Sequence, residues 1–145
     1  MDLILWRHAD AEDGAPDLER RLTKKGRKQA ERVAQWLRVR LPDDYELISS
    51  PAARATETAE ALAKKVRIDN SLAPGAAPAA YISASGWPRG ERAIVIVGHQ
   101  PDLGALLAQL VAGRHSDWRL QKGALWWLEA GDPPLVKAVV SPDLL

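Results

Sequence analysis

The sequence predicts an α/β protein: a single-domain, three-layer sandwich with a mostly parallel central sheet and helices on both of its faces. Three observations predict this fold. Short apolar runs typical of buried strands alternate with segments of helical periodicity. A proline or a capping residue opens the helix after each run. The length of 145 residues suits one hydrophobic core and is short for two. We therefore expect residues 1–145 to form one domain.

The first strand-to-helix unit occupies the N-terminal 42 residues. Leu3–Trp6 is a continuous apolar run, the pattern of a strand that is buried on both faces. Thr23 can cap the following helix, and Pro42 ends it. The apolar residues of this helix recur at helical spacing: Ala30, Val33, Ala34, Leu37 and Leu41.

The second unit begins with a short predicted strand, Glu46–Ser49. Ser50 is then the expected N-cap and Pro51 the expected first residue of a helix that reaches about Lys65. Residues 69–90 are rich in Ala, Pro, Gly and Ser and have no clear period. We expect this stretch to be a loop with one helical turn.

The third unit and a closing hairpin complete the predicted sheet. Ala93–Val97 is a strongly apolar strand, and Pro101 opens a helix that continues to Leu110. Residues 124–129 and 135–140 flank a Gly-Asp-Pro-Pro segment at 131–134, which predicts a closing hairpin.

Composition excludes several classes of function. Lys and Arg total 20 against 19 Asp and Glu, so the global charge does not favour binding to nucleic acid. The chain has no cysteine, which excludes a disulfide framework, thiol catalysis and thiolate metal sites. No apolar run is long enough for a signal-peptide core or a membrane span. We expect a cytoplasmic protein without membrane or nucleic-acid partners.

Polar residues that suit phosphate chemistry follow the three predicted parallel strands. Arg7 and His8 come after the first strand, Arg54 lies in the first turn after the second, and His99 follows the third. Ligands of open α/β sheets bind at this carboxyl edge. Arginine forks and helix N-termini both favour phosphate oxygens. Two histidines without a carboxylate cluster make a poor zinc or iron site, so we expect neither a metal nor another cofactor.

A histidine in such a pocket can act as a nucleophile on phosphorus. Only the neutral imidazole attacks, and neighbouring arginines lower the pKa of His8 by like-charge repulsion. The same cations stabilise the phosphoryl oxygens in the transition state. Transfer through a phosphohistidine on His8 would divide the hydrolysis into two steps.

The motifs resemble, in order and over nearly the whole chain, those of the histidine phosphatase (phosphoglycerate-mutase-like) superfamily. The matching segments are Leu3–Ala9, Arg20–Thr23 with Gly26, Ser49–Ala59 and Val97–Leu103. Within the superfamily the chain is most similar to the SixA-type phosphohistidine phosphatases, which share its small size. Their further matching segments are Leu72–Ala76 and Leu120–Ala124.

The resemblance implies a role for each matching residue. His8 would be the nucleophile, and Arg7, Arg54 and His99 would bind and polarise the phosphate. Arg21 matches a further phosphate-binding arginine of the SixA-type members, although Arg20 beside it could take that role. The chain departs from the family at residue 9, where alanine replaces the usual glycine.

The substrate class is predicted from an absence of acidic residues. Hydrolysis of an alkyl phosphate needs a proton donor for the leaving oxygen, and larger superfamily members have an acidic residue near the site. The segment from Asn70 to Gly90 contains no Asp or Glu. The P–N bond of phosphohistidine is weak and needs little help, so a phosphohistidine-bearing protein such as a phosphotransfer domain is the expected partner. Asp10 and Asp102 are the remaining candidates for a general acid.

Two other functions stay open. A phosphomonoesterase or mutase acting on a small metabolite would use the same chemistry at His8. A phosphate-binding module without turnover would need the arginines but no nucleophile. The lysines at positions 24, 25 and 28 fit a solvated helix face better than a docking patch, and a monomer is the simplest expectation.

Overall fold

The computed structural model describes all 145 residues and contains one six-stranded sheet. Its order is β3-β2-β4-β1-β5-β6. The pairs among β1 to β4 are parallel, and β5 and β6 join antiparallel at one side. The strands are β1 (Asp2–Arg7), β2 (Tyr45–Ser49), β3 (Arg67–Ile68), β4 (Ala93–Gly98), β5 (Leu125–Glu129) and β6 (Leu135–Val140). The predicted mostly parallel sheet and the closing hairpin are confirmed.

Four α-helices cover the two faces of this sheet: α1 (Lys24–Arg38), α2 (Ala53–Glu60), α3 (Pro78–Ser85) and α4 (Asp102–Leu107). Alternate residues of β1 point to opposite faces. Ile4 and Trp6 pack in one core with α1 and α2, while Leu3 and Leu5 pack in a second core with α3 and α4. All four side chains are essentially inaccessible to water. The central strand is thus buried on both sides, and the three-layer sandwich is confirmed.

Helix α1 begins where the sequence predicts. The Thr23 hydroxyl accepts a hydrogen bond from the Gly26 amide at 2.9 Å, which satisfies one free donor of the first turn. Any Cβ at Gly26 would overlap the backbone carbonyl of Asp10. Glycine therefore lets the start of α1 lie directly against the segment that follows β1.

Helix α2 differs from its predicted bounds at both ends. It begins at Ala53, and Ala52 caps it without a side-chain hydrogen bond. Ser50 lies two residues before the N-cap, and its hydroxyl accepts from the amide of Ala52 at 3.2 Å and bonds to the His99 ring at 2.7 Å. The helix ends at Glu60 rather than near Lys65, since the chain must extend to form β3 beside β2.

The Ala- and Pro-rich stretch has more structure than expected. It contains a 3₁₀ turn at Asn70–Leu72 and the two-turn helix α3, which ends at Gly86 with a φ of +74°. Leu72 and Tyr81 are buried and fix the stretch against the sheet. The sequence did not predict α3 because, apart from Tyr81, its residues are mostly small and show no apolar residues at helical spacing.

The predicted third helix is made of two pieces. α4 begins at Asp102, with Pro101 in the N-cap position, and continues as a π-helical turn at Ala108–Ala112. No helix of the protein combines the length and the apolar character needed to cross a bilayer.

Candidate active site

The two predicted catalytic histidines lie side by side at the carboxyl edge of the sheet. β1 and β4 are parallel neighbours, and Arg7 is in register with Gly98. The residues that follow the two strands, His8 and His99, therefore lie at the same height along the edge of the sheet. The ring centroids of His8 and His99 are 5.2 Å apart, with the rings tilted by 52°. Register between two adjacent strands brings together residues that are 91 positions apart in the chain.

His8 is held in one orientation by its neighbours. Its backbone amide donates to the carbonyl of Gly98, and its carbonyl accepts from the amide of Gly123, both at 3.0 Å. The ring Nδ1 lies 2.7 Å from the backbone carbonyl of Ala9. Because a carbonyl can only accept, Nδ1 carries the proton, and the neutral ring presents a lone pair at Nε2.

Both histidines are neutral near pH 7. Burial is the main cause that lowers the pKa of His8 to about 4, and Arg54, Arg7 and Arg20 lower it further. Burial also leads the causes that lower the pKa of His99 to about 3, followed by repulsion from His8 and Arg54. The lowered pKa of His8 agrees with the direction expected from the sequence, but the arginines named there are not its main cause. Desolvation exceeds the effect of the arginines.

His99 is fixed from its other side by the residue after β2. Its Nε2 lies 2.7 Å from the hydroxyl of Ser50, whose backbone amide donates to Val97. Its Nδ1 is buried and has no hydrogen-bond partner in the protein. A buried unpaired nitrogen is costly unless it serves a ligand.

Arg7 and Arg54 both lie close enough to His8 and His99 for their charges to act on the two rings, and hydrogen bonds hold both guanidinium groups. Arg7 donates from Nη1 to the carbonyl of Leu120 at 2.7 Å, while its buried Nε has no partner. Arg54 is only 5% exposed and donates to Asp17 twice, to the backbone carbonyl at 2.8 Å and to a carboxylate oxygen at 3.1 Å. Asp17, in a 3₁₀ turn after β1, therefore orients the guanidinium of Arg54.

Arg20, rather than Arg21, belongs to this cluster. Arg20 donates to the other carboxylate oxygen of Asp17 at 3.0 Å and is one of the charges that lower the pKa of His8. Arg21 points away: its side chain is 73% exposed and pairs with Glu57 on α2 at 3.1 Å. The side chain of Arg21 therefore does not lie with the cluster in this structure, because adjacent residues in this extended segment project in opposite directions.

Alanine at position 9 fits the site without strain. No residue other than glycine has a positive φ, so the backbone of Ala9 does not require glycine. Its methyl group is fully buried against Leu22 and Ala30. Its amide donates to the hydroxyl of Thr58 at 3.0 Å, and that hydroxyl donates to the carbonyl of Arg54. Thr58 thus ties the nucleophile segment to α2.

The two candidate acids have other tasks. Asp10 accepts from Lys122 at 2.9 Å and from Thr23 at 2.7 Å, and these two hydrogen bonds lower the pKa of its carboxyl group. It is a carboxylate and not a proton donor near pH 7. Asp102 is buried, which raises its pKa, and it accepts from the backbone amide of Gly75 at 2.9 Å. It secures the loop before α3.

Three of these positioning groups were not anticipated from the sequence. Asp17 lies in an exposed, non-periodic stretch that carries no pattern. Ser50 was expected to act as a helix cap, and Thr58 was indistinguishable from a helix-interior threonine. Only the Thr-Glu-Thr run at 56–58, unusually polar for a packed helix, gave a signal that could have been followed.

The cluster can bind a phosphoryl group and attack it. It offers a neutral nucleophile at Nε2 of His8, a second neutral imidazole, and cationic forks from Arg7 and Arg54. Such preorganised donors stabilise the charge of the phosphoryl oxygens in a site shielded from water. No group of three or more His, Cys, Asp or Glu side chains is arranged to hold a metal ion.

Two relatives are similar in sequence. The chain is 34% identical over 143 residues to an uncharacterized protein of Picosynechococcus sp., covering 90% of this chain and 86% of that protein. It is 28% identical over 123 residues to the phosphohistidine phosphatase SixA of Escherichia coli strain K12, covering 78% and 76%.

Solved structures agree with the fold. The protein histidine phosphatase SixA complexed with tungstate superimposes with a TM-score of 0.86 at 22% identity, over 99% of both chains. A phosphoserine phosphatase mutant from Entamoeba histolytica in complex with phosphoserine gives 0.75 at 17% identity, over 99% and 98%. At these identities the likeness is one of fold. Residues 3–77, half of the chain, match the model of the histidine phosphatase superfamily (branch 1), and the chain belongs to this superfamily.

Proposed function

We propose that this phosphatase hydrolyses protein phosphohistidine through a covalent intermediate on His8. The observation that carries the proposal is the pair of neutral imidazoles 5.2 Å apart, flanked by the buried Arg54 and the half-buried Arg7 and without a free acid beside them. Arg7, Arg54 and His99 bind the phosphoryl oxygens, and Arg20 takes the part first expected of Arg21.

The first step transfers the phosphoryl group between two imidazoles. Nε2 of His8 attacks phosphorus, the new P–N bond forms, and the P–N bond of the substrate breaks. The substrate imidazole keeps the electron pair and takes a proton from solvent. The hydrogen bond from Nδ1 of His8 to Ala9 stabilises the positive charge that develops on the ring.

The second step regenerates the enzyme. Water attacks the phosphorus, a P–O bond forms, and the P–N bond to His8 breaks. The electron pair of the broken bond returns to Nε2, the two protons of the water leave with the product as dihydrogen phosphate, and the imidazole of His8 is neutral again. The unpaired Nε–H of Arg7 is a buried donor that a phosphoryl oxygen would satisfy in both steps.

The choice of a phosphoramidate substrate is supported by the carboxylates. The α3 segment offers none, Asp10 is ionised by its partners, and Asp102 is engaged with the backbone of Gly75. An alkoxide leaving group would need a proton that these residues do not supply. The sequence similarity to the E. coli phosphohistidine phosphatase supports the same class.

A comparison of substrates tests the proposal. We expect kcat/KM for a phosphohistidine-bearing protein to exceed that for phosphoserine and sugar phosphates by at least about a hundredfold, because proton delivery contributes on that order. Rapid quenching should trap acid-labile, alkali-stable phosphate on the wild type. Preferred turnover of a phosphate ester would instead assign the chain to small metabolites, a function that the fold shared with a phosphoserine phosphatase favours.

Residence in the cytoplasm and a monomeric state stay predictions from the sequence.

A further inference from the structure

A cavity of about 650 Å³ opens beside the active site and is strongly cationic. Arg7 lines this cavity and also belongs to the cluster of His8, His99, Arg7 and Arg54, which we call the phosphoryl pocket, so the cavity adjoins that pocket. Its other charged lining residues are Lys25, Arg119, Lys122 and Asp143. Four cationic side chains thus face one carboxylate.

The cations of this cavity are poorly compensated. Lys122 pairs with Asp10, but Lys25 and Arg119 have no carboxylate within ion-pair distance. Arg119 is close enough to Arg7 that their repulsion adds to burial in lowering the pKa of Arg7. Like charges placed together without counterions favour an anionic ligand.

The positive surface continues along α1. A neighbouring depression shares Lys25 and Asp143 with the cavity and is lined by Lys24, Lys28 and Arg32. None of these three has an ion-pair partner either. At the rise of an α-helix, Lys25 and Arg32 are about 10 Å apart along the axis. We call the six residues outside the catalytic cluster the basic strip: Arg119, Lys122, Lys25, Lys24, Lys28 and Arg32.

Several exposed arginines elsewhere are paired, whereas unpaired cations cluster in the strip. Arg67 pairs with Glu46 at 2.6 Å, and Arg92 pairs with Asp44 at 2.9 Å. The net charge of the whole chain is only +1. The strip is therefore a local excess of positive charge and not a consequence of a basic protein.

We propose that the basic strip binds an acidic segment that flanks the phosphohistidine of the protein substrate, an inference that rests on the proposed function. The strip starts beside Arg7, which lines the same cavity and, under the proposed function, binds the phosphoryl group. A segment of the substrate protein next to its phosphohistidine can therefore reach the strip. It extends along two turns of α1 beyond the cavity, farther than a compact metabolite reaches. Successive Asp or Glu side chains of an extended polypeptide match this length and charge.

Two phosphohistidine peptides of identical sequence test the proposal, one with four Asp or Glu residues flanking the phosphohistidine and one with Asn or Gln in their place. We expect kcat/KM of the wild type to favour the acidic peptide about fivefold, since exposed pairs contribute only a few tenths to 1 kcal/mol each. The double variant Lys28→Gln/Arg32→Gln should remove most of this preference. Asp143→Asn should enlarge it, because it removes the carboxylate from the strip.

Arg114→Gln is the matched control, since Arg114 is exposed and unpaired but lies outside the strip. It should leave the preference unchanged. Binding of the unphosphorylated acidic peptide is measured in parallel, and we expect Lys28→Gln/Arg32→Gln to weaken it about fivefold.

The outcomes separate this proposal from the proposed function. Equal hydrolysis of both phosphohistidine peptides by the wild type would overturn the role of the strip and leave the function standing. Strip-dependent binding without hydrolysis of either peptide would overturn the function and leave an acidic-segment site. Tighter binding of a single-stranded RNA than of the acidic peptide, weakened by Lys28→Gln/Arg32→Gln, would assign the strip to nucleic acid and overturn the proposal.

Discussion

The phosphoryl pocket and the basic strip are adjacent, but they differ in the burial and the hydrogen bonding of their titratable side chains. In the pocket, His8, His99 and Arg54 are each less than a tenth exposed, and hydrogen bonds fix their orientation. In the strip, all six cations are exposed, and all except Lys122 lack an ion-pair partner. Burial keeps the pocket imidazoles neutral, while the strip cations face solvent and are open to an anionic partner.

This difference suits the pocket to the chemical step and the strip to recognition of the substrate protein. A buried, oriented donor acts strongly at short range on whatever phosphoryl group enters. An exposed lysine acts weakly, over about a Debye length, and depends on the charge of the partner. Changes in the pocket should therefore have large effects on every substrate, and changes in the strip should have small effects on acidic substrates alone.

The largest effect is expected from the nucleophile. His8→Asn should lower kcat by at least about a thousandfold on acidic and neutral substrates alike, because no other group can form the covalent intermediate. Rapid-quench labelling should give no phosphoenzyme. His115→Asn, at an exposed histidine, is the control. Retention of more than about a hundredth of the wild-type rate would contradict nucleophilic attack by His8.

Arg54→Ala should lower kcat/KM by about a hundredfold on both phosphohistidine peptides, as expected for loss of a preorganised donor to the phosphoryl oxygens. Steady-state kinetics with each peptide measure it. Arg89→Ala removes an exposed, unpaired arginine and should have no effect. A loss of kcat/KM for the acidic peptide alone would mean that Arg54 recognises the acidic segment, and the pocket and the strip would then not differ in role.

The neutrality of the pocket predicts how stability depends on pH. The pKa values of His8 and His99 are lowered to about 4 and about 3, while the unfolded chain takes up protons at a pKa of about 6.5. The unfolded state therefore binds more protons as the pH falls through this window, and the free energy of unfolding decreases. From pH 7 to 5 each histidine should cost about 2 kcal/mol.

Urea unfolding at several pH values measures this slope. The double variant His8→Asn/His99→Asn should be clearly less sensitive to pH between 7 and 5, whereas His115→Asn should keep the wild-type slope. An unchanged slope in the double variant would mean that the pocket histidines are already protonated at pH 5.

The smallest effect is expected from salt. Raising the ionic strength from 0.1 to 1 M shortens the Debye length from about 10 to about 3 Å. We expect kcat/KM for the acidic peptide to fall about fivefold and that for the neutral peptide to change less than about twofold, because the strip is screened and the buried pocket is not. Equal losses for both peptides would show that salt acts on the pocket.

Much of the fold could be predicted because its signals are local. The buried strand pattern of Leu3–Trp6, the Thr23 cap and the closing hairpin each depend on a few neighbouring residues. Helix α3 could not be predicted, because a single buried tyrosine fixes an otherwise small-residue segment. The early end of α2 depends on β3 pairing, which no short window of sequence contains.

By itself, the sequence determined which residue types stand at the carboxyl ends of the strands: Arg7 and His8, Arg54, and His99. Only the tertiary structure decided that Arg20 and not Arg21 joins them and that Asp17 orients Arg54. It also decided that the cations of α1 line a surface next to Arg7. The physical reason is the distance along the chain over which each kind of signal acts. Strand and helix signals are set by nearest neighbours along the chain, whereas side-chain direction in irregular segments and the sum of charges on a surface depend on residues that only folding brings together.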